Sequence, residues 1–231
     1  LLRLPMNVEQ RKLLSSQPLH PRVTNLTKHL PIKSSSLTIS LTNLLSCLIY
    51  WHPPLAECDW LPSLVYPFLK VYGGDRIETF ETIVTVIMNW CTEWLNFVPN
   101  PPITSLSRID RIARSMGGEA PLEVAWPALR SFFGEVATTE TALILMDNIL
   151  AAKPPFIEYL IASYALLPGD KVVDTTNIRY VIKRARKFFN MEAESNPNQA
   201  VFTPIPVGYY PILPIVAKSE MWRENELQRI R

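Results

Sequence analysis

The chain of 231 residues has little glycine and little cysteine, 7 and 3 residues respectively. Neither G-x-x-x-x-G-K nor G-x-G-x-x-G occurs, and without such a phosphate-binding loop we expect neither a GTPase nor a nucleotide-binding enzyme. The three cysteines have no C-x-x-C spacing and lie in or beside apolar segments, which favours reduced thiols in a cytoplasmic protein. Cys58 has no histidine base near it in the sequence, so we expect a core thiol and not a nucleophile.

Histidines and charges are too few or too scattered for several other classes of function. The three histidines are far apart and have no second ligand at metal-binding spacing, so neither a metal nor another cofactor is expected. The net charge of +2 predicts no nucleic-acid partner. The longest strongly apolar stretches, 82–91 and 156–167, are shorter than the roughly 20 residues of a membrane-spanning helix, so no transmembrane segment is predicted.

Proline, with 21 residues, is abundant and clusters between periodic apolar segments. Because proline interrupts helices, this distribution is typical of helices separated by proline turns. Gly73-Gly74-Asp75 predicts the end of one helix and the N-cap of the next. With no convincing strand pairs, the sequence predicts an all-α fold, a single multi-helix domain. The predicted helices span about 37–51, 61–72, 75–97, 103–116, 121–136, 139–152, 155–167, 175–190 and 218–231.

The composition changes toward the end of the chain, and three regions follow from it. Residues 1–194 are predicted to form the helical domain. Residues 195–217 are predicted to form a proline-rich strap that packs on it, with a flexible linker as the alternative. The charged segment 218–231 is predicted to be a helix with Trp222 and Leu227 among its charges. That helix could begin a coiled coil through which chains self-associate, or it could pack on its own domain.

Two segments carry the pattern of a known family. Residues 44–69 read LLSCLIYWHPPLAECDWLPSLVYPFL, and residues 125–167 contain Trp126, the pair Phe132 and Phe133, and Asp147 within apolar helices. In type and spacing these segments resemble the core of TBC domains, which activate GTP hydrolysis by Rab GTPases. The resemblance covers about residues 20–190 and implies the all-helical TBC fold.

Three further segments resemble a divergent branch of that family. They are PIKSSSL at 31–37, NWCTEWLNFVPNPPI at 89–103 and YYPILPIVAKSE at 209–220. The branch carries WD repeats and is associated with centriolar satellites and cilium formation, and its TBC domain lies between a propeller and a coiled coil. The resemblance implies a location at the centrosome, centriolar satellites or the cilium base, with centrosomal or ciliary proteins as partners.

The groups that catalyse in active TBC domains are missing where the resemblance places them. Active members supply an arginine from I-x-x-D-x-x-R, which neutralises charge on the transferring phosphoryl group, and a glutamine that positions the attacking water. Aligned on the prolines that follow each motif, Lys28 replaces the arginine and Asn25 its aspartate, while Asp59 replaces the glutamine and Glu57 its tyrosine. Lysine lacks the planar fork of arginine, and a carboxylate cannot donate as an amide does.

We therefore expect a catalytically degenerate TBC domain that serves as a protein-interaction or scaffold module. Asn25, Lys28, Glu57 and Trp60 are the candidate partner-binding residues, with a Rab GTPase as one candidate partner. Trp60 is interpreted first as a core residue, with a contact to a different partner as the alternative. Two other functions stay open. The domain could be a weak or unorthodox GTPase-activating protein in which Lys28 does part of the work of the arginine, or a purely structural, dimerising helical domain.

A run of charges at 108–114 resembles a catalytic Asp-Arg motif until its spacing is counted. Asp110 and Arg114 are four residues apart, which predicts an ion pair within one helix.

A second cluster of charges forms a basic stripe with Phe188 and Phe189 behind it. Such a stripe could meet an acidic partner or anionic lipid, although a solvated face above a buried phenylalanine pair is the favoured interpretation. The stripe consists of Arg179, Lys183, Arg184, Arg186 and Lys187.

Overall fold

A computed structural model describes residues 16–28, 30, 32–73, 75–167 and 175–195. These residues form helices and turns and contain no β-strand, which confirms the predicted all-α fold. Nine α-helices lie in the described part of the chain. They are α1 (Val23–Thr27), α2 (Ser35–Trp51), α3 (Leu61–Val71), α4 (Arg76–Val86), α5 (Ile103–Ser115), α6 (Leu122–Arg130), α7 (Thr139–Leu150), α8 (Phe156–Ala165) and α9 (Thr175–Ser195).

The helix predicted over 75–97 is present, but it changes type along its length. Asp75 is its N-cap, as predicted, and accepts hydrogen bonds from the backbone N–H groups of Ile77 and Glu78 at 2.9 and 3.1 Å. After α4 the chain continues as a π-helical turn, Ile87–Cys91, and a 3-10 helix, Thr92–Phe97. Polar side chains in this stretch donate to backbone carbonyls four residues earlier, a competition that disturbs regular helix geometry.

The helix predicted over 121–136 is too long, because α6 ends at Arg130. Phe132 and Phe133 follow in a turn with φ of 50° and 70°, the left-handed region that disfavours bulky side chains. Both rings are completely buried, Phe132 edge-on to Phe68 and Phe133 edge-on to Tyr164. Burial of two aromatic rings therefore outweighs the backbone strain that helix periodicity alone does not reveal.

Two helical segments were not predicted. Val23–Thr27 has only five residues, and the 3-10 helix Pro53–Glu57 begins with two prolines, so neither gives a periodic apolar signal. The helix α9 extends to Ser195, beyond its predicted end at 190. The predicted helix at 218–231 and, apart from Ser195, the predicted strap lie outside the described residues.

The described residues divide into two compact units. The N-terminal unit comprises the described residues of 16–62 and 69–100, and the C-terminal unit those of 63–68 and 101–195. Within the N-terminal unit, α2 packs against α4. The two helices bury an apolar set that includes Leu41, Leu44, Leu45, Leu48, Phe80, Ile83 and Val84.

The helix α8 is the centre of the C-terminal unit. Every residue from Phe156 to Tyr164 is buried, because α5, α6 and α9 all pack against this helix. Its one carboxylate, Glu158, accepts hydrogen bonds from Nε and Nη2 of Arg108 on α5 at 2.9 and 2.7 Å. On α5 the predicted ion pair within the helix is confirmed, since Nε of Arg114 lies 2.9 Å from Oδ2 of Asp110.

None of the helices in the described ranges is both long enough and apolar enough to cross a membrane.

The strained turn at Phe133 predicts that glycine destabilises the protein less than alanine at this position, the reverse of the order within a helix. Phe133→Ala should lower the free energy of unfolding by about 3–5 kcal/mol through the lost ring and the cavity. Phe133→Gly should cost about 1 kcal/mol less than alanine, because only glycine adopts positive φ without strain. The measurement is urea unfolding followed by circular dichroism. At Leu160, buried in the middle of α8, the order should be normal, with glycine worse than alanine; the same order at both positions would contradict strain at Phe133.

Candidate functional site

The segment that carries the predicted glutamine-finger position is a tight turn between α2 and α3, residues 52–60, which we call the finger turn. It begins where α2 ends, because Pro53 and Pro54 cannot donate the backbone hydrogen bonds that would continue the helix. The 3-10 helix Pro53–Glu57 follows. The backbone N–H of Cys58 then donates to the Leu55 carbonyl at 3.1 Å, and that of Leu61 to the Cys58 carbonyl at 2.9 Å, at the start of α3.

Asp59 is the exposed residue at the tip of the finger turn. The residues on either side of it are buried, Cys58 with 0% of its surface exposed and Trp60 with 3%. Leu55 in the same turn is also fully buried. The backbone is thus fixed on both sides of Asp59, and its carboxylate is held toward solvent.

Glu57, at the predicted tyrosine position, forms an ion pair with Arg22. Arg22 lies immediately before α1 and 35 residues earlier in the chain. Each side chain keeps about a third of its surface exposed, so the pair contributes little to stability, on the order of 0–1 kcal/mol. Its structural effect is to hold the start of α1 beside the finger turn.

Asn25 and Lys28, at the predicted aspartate and arginine positions, both lie on the solvent side of the α1 segment. The helix is attached to the unit by Val23, which is buried, and α1 packs against α2. The backbone N–H of Lys28 donates to the Asn25 carbonyl at 3.4 Å. Among the described residues, no hydrogen bond or ion pair joins Lys28 to Asp59. The contact between the two segments is made by Arg22 instead.

Trp60 is a core residue in this structure. Its ring packs edge-on against Trp94, with 5.4 Å between the ring centroids. The indole N–H is also buried, and no described group accepts its hydrogen bond. Burial agrees with the first interpretation of this residue. Of the four candidate partner-binding residues, Asn25, Lys28 and Glu57 are therefore the ones that solvent reaches.

The titratable groups of the finger turn are one thiol, one imidazole and two carboxylates. Burial raises the pKa of the Cys58 thiol, and the carboxylates of Asp59 and Glu57 raise it further, so the predicted core thiol is confirmed. Burial lowers the pKa of His52 to about 4, so this imidazole is neutral at pH 7. The turn itself thus carries two carboxylates and no cation. Within the described ranges, no three His, Cys, Asp or Glu side chains are grouped as a metal would need.

Arg22 is the residue of this site that sequence analysis missed. Its position six residues before Lys28 does not fit the arginine motif, and an ion pair across 35 residues has no local sequence signal. The weak signal that existed was that Arg22 is the arginine nearest to Lys28 in the sequence.

The predicted basic stripe lies on α9 in the C-terminal unit, and two of its five residues donate hydrogen bonds to other parts of that unit. Arg184 donates a hydrogen bond to the Met116 carbonyl, and Nη2 of Arg186 donates to Oδ1 of Asn148 at 2.8 Å. The remaining stripe residues, Arg179, Lys183 and Lys187, are exposed. On the opposite side, Phe189 packs edge-on against Phe156 and Tyr159, with ring centroids 5.5 and 5.2 Å apart.

Comparison with known proteins gives similarity along the whole chain to curated proteins named TBC1 domain family member 31. The protein of Bos taurus is 31% identical over 260 residues, covering 100% of this chain and 24% of the relative. That of Oryzias latipes is 29% identical over 260 residues, with the same coverage. That of Homo sapiens is 35% identical over 174 residues, covering 71% of this chain and 16% of the relative.

The chain spans about a quarter of the length of the Bos taurus and Oryzias latipes relatives. No protein-family model matches the chain. No solved structure matches it significantly either.

Proposed function

This chain is a TBC-domain protein by its similarity to those relatives from end to end, and we propose that it is a protein-interaction module without GTPase-activating catalysis. The observation that supports the proposal is the charge of the finger turn. At the position that the sequence resemblance assigns to the glutamine of active TBC domains, this chain has Asp59, whose side chain is exposed two residues from the Glu57 carboxylate.

The electrostatics of such a turn oppose phosphoryl transfer. The bound nucleotide and the transferring phosphoryl group are negatively charged, and two like charges about 4 Å apart repel by roughly 4 kcal/mol at an effective dielectric constant near 20. An arginine finger contributes about 10³- to 10⁵-fold to GTP hydrolysis in related systems. Lys28 can supply a point charge but not a bidentate contact. Both chemical contributions to catalysis are therefore weakened together.

The surface around the finger turn remains suited to binding. Buried residues on both sides of Asp59 fix its backbone, and the Arg22–Glu57 ion pair adds the start of α1 to the same region. The side chains of Asn25, Lys28 and Asp59 are exposed and that of Glu57 is half-buried, so a protein partner can contact these polar groups without any chemistry. We propose a Rab GTPase or a centrosomal or ciliary protein as the partner. We propose the centrosome or the cilium base as the location of this chain. The sequence resemblance supports the partner and the location alike.

We predict that this chain does not accelerate GTP hydrolysis by any member of a panel of purified Rab GTPases. The reason is the loss of both catalytic groups. The measurement is single-turnover hydrolysis of GTP preloaded on each Rab, with this chain in excess and an active TBC domain as the positive control. Acceleration of any Rab above its intrinsic rate, while the control works, would contradict the proposal.

A second function, weak GTPase activation by an unorthodox arginine, is favoured by one observation. The Arg22 guanidinium is held at Glu57, so an arginine does lie beside the finger turn although not at the motif position. In the observed state that guanidinium is neutralised by Glu57. It could reach a phosphoryl group only after the ion pair opens.

Releasing Arg22 separates the two functions. Under the second function, Glu57→Gln should raise the hydrolysis rate of at least one Rab, and Arg22→Ala in the same background should abolish the gain. The matched control is Glu135→Gln, which opens the Arg130–Glu135 ion pair of similar exposure in the C-terminal unit and should change nothing. Equal rates for wild type, Glu57→Gln and Glu135→Gln would exclude the second function.

A further inference from the structure

One face of α9 is exposed and basic. With about 100° of rotation per residue, Arg179, Lys183 and Lys187 fall on one side of the helix, each about 6 Å further along the axis than the last. All three are exposed, and none forms an ion pair with a described residue. We call this side, together with Tyr180 and Met191, the α9 face.

The arginines of α5 and α6, in the same unit, are held differently. Arg108 pairs with Glu158, Arg114 with Asp110 and Arg130 with Glu135. Arginines on α5 and α6 therefore have carboxylate partners within the unit. The three cations of the α9 face have no such carboxylate partner among the described residues.

The α9 face is presented on a rigid support. The opposite side of the helix buries Ile178, Val181 and Ala185, and Phe189 packs on the two aromatic rings of α8. Arg184 is fixed by its hydrogen bond to the Met116 carbonyl. A face held in this way loses little conformational freedom when a partner binds, which favours affinity.

Two large apolar side chains lie at the edge of the face. Tyr180 is 58% exposed and Met191 51% exposed, and eleven residues apart on a helix they are on nearly the same line. Tyrosine, methionine and arginine are enriched in protein interfaces. The apolar side of α9 is already buried in its own unit, so the helix cannot insert into a bilayer surface as amphipathic membrane helices do.

We propose that the α9 face is a docking site for an acidic helical segment of a protein partner. Carboxylates at every fourth position of the partner helix match the spacing of Arg179, Lys183 and Lys187, and its apolar residues cover Tyr180 and Met191. This surface is independent of the finger turn, so either proposal can fail without the other.

The test uses the full 231-residue chain and a fluorescently labelled helical peptide with glutamate at every fourth position and leucines beside it. Fluorescence anisotropy should show salt-sensitive binding. Lys183→Glu with Lys187→Glu should weaken it by at least about tenfold, through repulsion in place of attraction. The matched control is Lys70→Glu with Lys153→Glu, two exposed lysines elsewhere that undergo the same charge change, and it should leave the affinity within about twofold.

Two more measurements identify the occupant. Tyr180→Ala changes no charge, and it should lower the affinity for the peptide about threefold or more if the apolar edge takes part in binding. Circular dichroism should show that every variant is folded. Three results would overturn the proposal: no peptide binding, equal weakening by the two charge-reversal pairs, or binding to vesicles of phosphatidylcholine and phosphatidylserine that exceeds peptide binding and is lost in the Lys183→Glu, Lys187→Glu variant.

Discussion

The burial of Cys58 and Trp60 on the two sides of Asp59 is the constraint on which the proposed function depends. Both side chains are almost inaccessible to solvent, and Trp60 packs against Trp94 within the same unit. A turn fixed at adjacent positions cannot rotate one residue without exposing a large apolar surface, which costs roughly 25 cal/mol for each Å². The finger turn therefore keeps its shape whatever residue occupies its tip. The packing that holds the turn therefore does not depend on the chemistry of residue 59.

That separation supports the proposed function, in which a TBC domain without catalysis keeps a role in binding. Asp59 at the tip and Glu57 two residues before it carry carboxylates, the imidazole of His52 is neutral, and the Arg22 guanidinium is paired with Glu57. Leu55, Cys58 and Trp60 in the same turn are buried. A surface that is stable and polar is suited to the partner recognition that we propose.

Much of this architecture could be predicted from the sequence, because long apolar helices have a clear periodic pattern of apolar residues. The helices α2, α3, α5, α7 and α8 all begin and end within a few residues of their predicted bounds, and the Asp75 cap was visible from its residue type. The turn at Phe132 and Phe133 was not visible, since an aromatic pair after a helix predicts more helix until the burial of both rings is known. At the site, the charge of Asp59 could be predicted, whereas the ion pair of Arg22 depends on a contact 35 residues away.

The most direct measurement places arginine and glutamine at the two predicted finger positions. A Lys28→Arg, Asp59→Gln double variant would be compared with wild type in single-turnover GTP hydrolysis on the same Rab GTPases, with folding checked by circular dichroism. If these positions carry the fingers of a TBC fold, the double variant accelerates hydrolysis by at least one Rab and wild type does not. A folded double variant that gives the same rate as wild type on every Rab would contradict the assignment of Lys28 and Asp59 to the finger positions.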